Sequence, residues 1–269
     1  MDPAERELLA ETLRKTMTAA TGQALDSALA ELGWAEMLAE LPDVAVPLVF
    51  RLLGETGAHA PLLNDVLLTA AGLPLGGTPT LPYTGGARIV WERGDRAGGD
   101  LLDGELPLRT VPTGEPTGEP IADPAVLAAG RRALGWWLLG TGRAMLAPAR
   151  SHVLDRTQFG RPLASFQAVR HRLAETLVEL EGAEAVLLAA DDDLGSLLAK
   201  AAAGQAALTA ARHCQQVLGG IGFTAEHGLH RHIRRALVLD GLLGSAHELT
   251  REAGALLRER GTAPRLVQL

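Results

Sequence analysis

Two segments in the second half of the chain carry residue types that bind anionic groups. The first, residues 155–175, reads DRTQFGRPLASFQAVRHRLAE and includes Arg156. The second, residues 216–223, reads QVLGGIGF and includes the pair Gly219-Gly220. An arginine presents a fork of donors that matches phosphate oxygens, and paired glycines let backbone N–H groups approach a ligand. Taken singly, Arg156 could be a surface ion-pair partner and the glycines a turn, so only their co-occurrence gives the pattern weight.

Helical sequence must position both segments. Residues 127–156 form a long apolar run, in which Pro148 predicts a bend or an early end. Residues 166–190 and 194–218 predict two further long helices, and Asp123-Pro124 is typical of a helix cap and first turn. Three or four long antiparallel helices with short links predict an up-and-down bundle.

The rest of the chain divides by composition, so we expect three regions in a mainly α fold. Residues 1–75 predict an N-terminal helical domain that begins at an Asp2 cap. Residues 76–122 are rich in Gly and Pro and predict a shortened β region and linker. Within that region residues 87–92 predict a strand, residues 101–111 are candidates for further strands, and the repeat VPTGEPTGEP predicts a loop. Residues 123–269 predict the C-terminal four-helix-bundle domain.

Composition excludes several classes of protein. The 269 residues are 47% hydrophobic, which suits a large aliphatic core, and the formal net charge of −7 argues against nucleic-acid binding. The N-terminal residues lack the apolar core of a signal peptide, and no apolar run reaches the roughly 18 residues of a membrane span. We therefore expect no membrane span and a cytoplasmic location.

Other residues that could do chemistry have structural explanations. Cys214 is the single cysteine, and its helical surroundings predict a packing residue, compatible with a reducing compartment. The acidic run 191–193 predicts a solvated turn with capping carboxylates rather than a metal site. His227, His230 and His232 fit no zinc spacing and are predicted to be surface or interface residues.

The two segments resemble motifs of the acyl-CoA dehydrogenase family. Residues 156–167 match R-x-x-F-G-x-x-(I/L)-x-x-x-Q, and residues 216–223 match Q-x-x-G-G-x-G-(F/Y). The resemblance implies the family's order of an N-terminal helical domain, a middle β domain and a C-terminal helix bundle. It also implies FAD as cofactor, held across a subunit interface because the R-x-x-F segment reaches the neighbouring chain's cofactor. The residues implied to contact FAD are Arg156, Thr157, Gln158, Phe159, Phe166, Gln167, Gln216, Gly219 and Gly220.

The catalytic base of this family has no counterpart in the sequence. α,β-Dehydrogenation needs a carboxylate beside the α-carbon of the thioester. Ungapped counting places the usual base position at Leu243, before Gly244, and the alternative position at Arg131. The middle region also lacks the family's T-E-P-x-x-G-S-D segment, which lines the flavin ring. Asp240, three residues before Leu243, is the fallback candidate for a base.

These absences make the chain resemble the smaller, base-lacking subunit of actinobacterial heterotetrameric acyl-CoA dehydrogenases that act on steroid side chains. The resemblance implies a larger catalytic partner chain in an α2β2 heterotetramer. The acyl-CoA substrate would be bound through that partner, and an electron-transfer flavoprotein is a possible acceptor. Two alternatives stay open. One is a self-sufficient dehydrogenase that uses Asp240, and the other is a flavin-free structural or regulatory subunit.

Overall fold

The computed structural model describes residues 1–94, 101–112 and 121–263. Within these ranges the chain is mainly helical, which confirms the predicted fold class. The N-terminal part consists of five helices: α1 Pro3–Ala19, α2 Gly22–Glu31, α3 Trp34–Glu40, α4 Pro42–Thr56 and α5 Leu62–Ala70. The Asp2 cap is confirmed, because its carboxylate accepts the N–H of Glu5 while the Glu5 carboxylate accepts the N–H of Asp2.

A small antiparallel sheet follows. Its strands are β1 Thr80–Tyr83, β2 Ala87–Trp91, β3 Leu101–Asp103 and β4 Leu106–Thr110, which confirms the strand predicted at residues 87–92. They lie in the order β1-β2-β4-β3. Trp91 anchors the sheet, because its ring stacks on Trp137 at 5.4 Å and its carbonyl accepts the Asn64 side-chain amide at 2.8 Å. Most of the predicted loop that follows, residues 113–120, lies outside the described residues.

The C-terminal part is an antiparallel helical bundle with a short hairpin. Its elements are α6 Pro124–Asp155, β5 Thr157–Gln158, β6 Arg161–Pro162, α7 Gln167–Ala189, α8 Asp193–Leu218, α9 Leu229–Gly241 and α10 Ala246–Arg260. The predicted capping roles of Asp123 and Asp192 are confirmed, since each carboxylate accepts a backbone N–H from the first turn of its helix. No helix of the described residues has the length and apolarity that crossing a membrane requires.

Pro148 does not end α6, contrary to the expectation of an early end. The helix continues for seven residues beyond it, to Asp155. Pro148 lies on an exposed face of the helix, where water can hydrogen-bond the carbonyl that loses its N–H partner. The free-energy cost of a proline inside a helix is therefore smaller at this position than at a buried one.

One hydrophobic cluster connects the N-terminal helices, the sheet and the bundle. The close contact between α4 and α6 depends on glycine, because a Cβ on Gly140 would overlap the backbone carbonyl of Arg51 and a Cβ on Gly54 would overlap α6. Cys214 is fully buried in this cluster and unpaired, which confirms its predicted packing role. The division of the chain into domains at residues 75 and 122 stays a prediction.

Candidate functional site

The segment that begins with Arg156 forms a tight hairpin at the end of α6. Arg156 is the residue after the helix, and its N–H donates to the His152 carbonyl at 2.8 Å. Strands β5 and β6 pair across a turn made by Phe159 and Gly160, whose φ angles are 55° and 78°. A left-handed conformation costs a residue other than glycine about 1 kcal/mol or more. Phe159 adopts it, and its ring is 91% exposed.

Aromatic and cationic groups gather around this hairpin. The rings of Phe159 and Phe166 meet edge to face at 6.1 Å, and the Arg161 guanidinium lies 4.2 Å from the centre of the Phe166 ring. Arg156 makes no side-chain hydrogen bond or ion pair with any described residue. Its guanidinium is exposed, so it is available to an anionic ligand or another chain. Gln167 begins α7 and is also exposed.

The glycine motif forms a second exposed turn. α8 ends at Leu218, and a short 3-10 helix spans Gly219–Phe223. A Cβ on Gly219 or Gly220 would find no atom within 4 Å, so the backbone at both positions is open. Ile221 and Phe223 expose 43% and 68% of their surface. The turn thus offers accessible peptide groups beside exposed apolar side chains, and Gln216 is exposed one turn before it.

The bundle brings both motifs to one end. The first turns of α7 lie against the last turns of α8. The His213 ring on α8 hydrogen-bonds two side chains of α7, the Thr176 hydroxyl at 2.9 Å and the Arg172 guanidinium at 3.1 Å. The last turn of α6 lies near the segment after the glycine turn, because His152 on α6 is close enough to His227 for their charges to interact. Partial burial lowers the pKa of His152, and the charges of Arg156 and His227 lower it further. The hairpin, the start of α7 and the glycine turn therefore share one solvent-exposed surface.

The two positions that could carry the base lie in contact elsewhere in the fold. The Arg131 Nε donates to the Leu243 carbonyl at 3.1 Å. Leu243 is 1% exposed and adopts a left-handed conformation with φ of 54°. Counting from two separate motifs thus leads to one place in the structure, and that place holds an aliphatic side chain and a guanidinium. Neither group can accept a proton from a carbon acid at neutral pH.

Two carboxylates near this place bind other groups. The two Glu252 oxygens pair with the Arg131 guanidinium at 3.4 and 3.3 Å, and burial lowers the pKa of Arg131 against the opposing attraction of Glu252. Glu248 accepts the N–H groups of Gly85 and Ser245, which hold the pKa of its carboxyl at about 2. It therefore stays ionised and is a poor proton acceptor.

Strand β1 covers this region. The Leu243 N–H donates to the Pro82 carbonyl at 2.9 Å, and Tyr83 forms an isolated β-bridge with Leu242. A Cβ on Gly241 would lie 2.5 Å from the Tyr83 ring. The end of the shortened sheet is thus packed directly against the loop that would have to present a base. No local pattern in the sequence predicts this long-range pairing.

Asp240 has a structural role. Its carboxylate accepts the Ala246 N–H at 3.1 Å at the start of α10, and it packs so closely against Gly204 that a Cβ there would overlap it. Lys200, which sequence analysis missed, is fully buried and donates to the carbonyls of Asp240 and Gly244. Burial lowers the pKa of Lys200 to about 7. The one available signal was its rarity, since the chain contains only two lysines among its basic residues.

The three histidines predicted at the surface or at an interface differ from one another. His232 is more enclosed than expected, since burial lowers its pKa to about 4 and its ring lies beside Gly57 at the end of α4. It therefore packs between α4 and α9 as a neutral ring. His227 and His230 are partly exposed. Among the described residues, no three His, Cys, Asp or Glu side chains group closely enough to hold a metal ion.

Comparison with known proteins places these motifs in a family. The model of the acyl-CoA dehydrogenase C-terminal domain matches residues 118–253, half of the chain. The chain belongs to the acyl-CoA dehydrogenase family. Acyl-CoA dehydrogenase FadE34 of Mycobacterium tuberculosis is 39% identical over 142 residues, which are 49% of this chain but only 19% of that relative. The chain therefore matches about a fifth of the length of this relative.

Solved structures agree on the fold. This chain is similar to one chain of the Tcur3481–Tcur3483 steroid ACAD, with a TM-score of 0.66 and 20% identity. The match includes 96% of this chain and 99% of that chain. It is also similar to one chain of the ChsE4–ChsE5 complex from Mycobacterium tuberculosis, with a TM-score of 0.66 and 20% identity. That match includes 98% of this chain and 99% of the other chain. At this identity the likeness establishes the fold alone.

Members of the acyl-CoA dehydrogenase family bind FAD. The residues around the hairpin and the glycine turn fit part of such a molecule. The unpaired Arg156 guanidinium suits the pyrophosphate, the Phe166 ring suits the adenine, and open glycine backbones allow close approach. Phe166 is half-buried and the other groups face solvent, whereas a cofactor site is normally a concave pocket that buries most of its ligand.

Proposed function

We propose that this chain is a non-catalytic subunit of a heteromeric FAD-dependent acyl-CoA dehydrogenase. Its hairpin and glycine turn complete the FAD site of a larger catalytic chain. That chain supplies the base and the acyl-CoA cleft for α,β-dehydrogenation. Bound FAD would accept the hydride from the β-carbon of the thioester, and this chain would contribute binding and orientation.

The observation that carries the proposal is the state of the base position. Leu243 occupies it, Arg131 occupies the alternative, and the two are bonded to each other beneath strand β1. Leu243 is 1% exposed and Arg131 is 9% exposed, so neither position is open to a substrate. The chemistry must therefore take place on another chain if the chain serves a dehydrogenase.

The opposite end of the bundle has the properties of a donated half-site. Arg156 would pair with the pyrophosphate beside Thr157 and Gln158, and Phe159 would cover it from the hairpin tip. Phe166 and Gln167 would contact the adenine end, and the turn at Gln216, Gly219 and Gly220 would offer backbone N–H groups. The exposure of these groups supports contact with a second chain, because an isolated surface gains little from presenting a strained, solvated phenylalanine.

The nature of the partner rests on likeness. Two structures with this fold carry names that join two proteins, and one is called a steroid ACAD. We infer that the partner is a longer acyl-CoA dehydrogenase chain, that the assembly is an α2β2 heterotetramer, and that the substrate is the CoA thioester of a steroid side chain. An electron-transfer flavoprotein would reoxidise the complex. The cytoplasm is the expected location.

Co-expression tests the proposal. The chain is purified alone and together with a longer acyl-CoA dehydrogenase chain, and FAD content and dehydrogenase turnover are measured for each. We expect a colourless, inactive single chain and an active yellow complex. Arg156→Gln should lower the FAD content of the complex, whereas Arg251→Gln, an exposed arginine on α10, should not. Stoichiometric FAD with turnover in the isolated chain would sink the proposal.

The self-sufficient alternative requires Asp240 as base. Asp240→Asn should then abolish turnover and leave FAD bound, whereas the subunit proposal predicts a change in stability only, through the Ala246 N–H bond. The flavin-free alternative predicts a colourless complex. The unpaired Arg156 guanidinium and the open Gly219-Gly220 backbone argue against it, because a scaffold has no use for both.

A further inference from the structure

A groove runs along the bundle between the second half of α6 and the first half of α7. It encloses about 900 Å³. Its aliphatic surface includes the partly buried Leu146 and Leu173, and Leu154 and Leu177 are 56% and 48% exposed at its edges. None of the residues implied in FAD binding lines it. Exposed large apolar side chains around a concave surface are typical of a binding site.

The charges along the groove are unequal at its two ends. At one end Arg14 pairs with Glu55 at 2.9 Å, and Arg143 pairs with two glutamates of α7. Arg150 and Arg170 line the groove nearer the hairpin, and neither makes a side-chain hydrogen bond or ion pair with any described residue. Neither has an acidic residue three or four positions away on its own helix. The groove is therefore aliphatic, with two uncompensated guanidinium groups toward one end.

The length of the groove suits an extended aliphatic chain. From Arg143 to Leu154 α6 rises roughly 16 Å along it. An extended aliphatic chain advances about 1.25 Å per carbon, since its bonds of about 1.5 Å zig-zag, so the groove holds a chain of about twelve carbons.

We propose that the groove between α6 and α7 binds a long-chain carboxylate, with the carboxylate between Arg150 and Arg170 and the aliphatic chain along the leucines. A planar guanidinium pairs with a carboxylate through two parallel bonds. The chain would displace water from Leu146, Leu173 and Leu177, and each buried methylene would strengthen binding. The site is separate from the FAD half-site and lies wholly within this chain.

Isothermal titration calorimetry of the full chain with dodecanoate, kept below its micellar concentration, tests the proposal. We expect saturable binding of one dodecanoate per chain. Hexanoate and dodecyltrimethylammonium should each bind at least about tenfold more weakly, because one lacks the chain length and the other the negative charge.

Variants locate the ligand. Arg150→Gln combined with Arg170→Gln should weaken dodecanoate binding at least about tenfold, and Ala174→Phe should block it by filling the groove from an exposed position. Arg251→Gln and Ala185→Phe change exposed positions outside the groove and should bind as the unaltered chain does. Circular dichroism confirms that each variant folds.

Three results would overturn the proposal. The first is an absence of dodecanoate binding by the unaltered chain. The second is equal binding by the groove variants and their controls. The third is loss of assembly with the larger chain in the groove variants while dodecanoate binding is unchanged, which would make the groove a protein interface. The titration uses the chain without FAD or partner, so its failure leaves the proposed subunit role untouched.

Discussion

Lys200 should make the stability of the fold depend on pH near neutrality. Its ammonium group is fully buried, and burial lowers the pKa from 10.5 to about 7, against the attraction of Asp240. The unfolded chain keeps this lysine protonated throughout that range. Between these two pKa values unfolding therefore takes up a proton, so raising the pH favours the folded state. Below the folded pKa the contribution is flat. From pH 7 to 8.5 the free energy of unfolding should rise by about 1.5 kcal/mol.

Urea unfolding at pH 7.0, 7.5, 8.0 and 8.5 measures this slope, with the fluorescence of the buried Trp91 and Trp137 as the signal. Lys200→Met should flatten the slope, because the titrating group is gone. The chain offers a matched control in Lys15→Met, which removes its only other lysine from an exposed position and should keep the slope. A flat profile in the unaltered chain, or an unchanged slope in Lys200→Met, would refute the reasoning.

Three further substitutions and one labelling experiment have expected outcomes. Gly140→Ala should lower the free energy of unfolding by about 3 kcal/mol or more, because its Cβ would overlap the Arg51 carbonyl. Gly182→Ala, at an open helical position, should instead raise the free energy of unfolding by about 0.5–1 kcal/mol. Urea unfolding measures both variants, and a change of the same sign in the two would contradict the prediction. Leu243→Glu should destabilise the chain, because it buries a carboxylate, and should create no dehydrogenase activity. Turnover by this variant in a coupled dye assay would contradict the conclusion that position 243 is closed to substrate. Cys214 should resist a thiol reagent until the chain unfolds, because burial raises the pKa of its thiol to about 12, and fast labelling of the native protein would contradict that.

Local signals were enough to predict the helices and their starts. The caps at Asp2, Asp123 and Asp192 were predictable because a capping carboxylate acts on N–H groups within three residues. Of the two effects expected at Pro148, the early end is wrong, because the cost of proline depends on whether the orphaned carbonyl reaches water. Sequence alone does not reveal which face of the helix that residue occupies.

The replaced base position was predictable, but its surroundings were not. Counting from two motifs located Leu243 and Arg131 separately, and their contact at 3.1 Å is a finding of the structure. The cover formed by Pro82 and Tyr83 joins segments about 160 residues apart, and the burial of Lys200 depends on the loop after α9. Such relations depend on tertiary packing, which periodicity and motif spacing do not encode.

The left-handed turn at Phe159 affects the rate at which this chain would associate with a partner. The hairpin is closed by its own strand pairing and by the bond from the Leu163 N–H to the Arg156 carbonyl, and Phe159 and Phe166 already meet edge to face. A segment that holds its conformation before contact loses little entropy on docking. The association rate should then be set by diffusion and orientation of two rigid surfaces, and salt should change it through the exposed guanidinium groups.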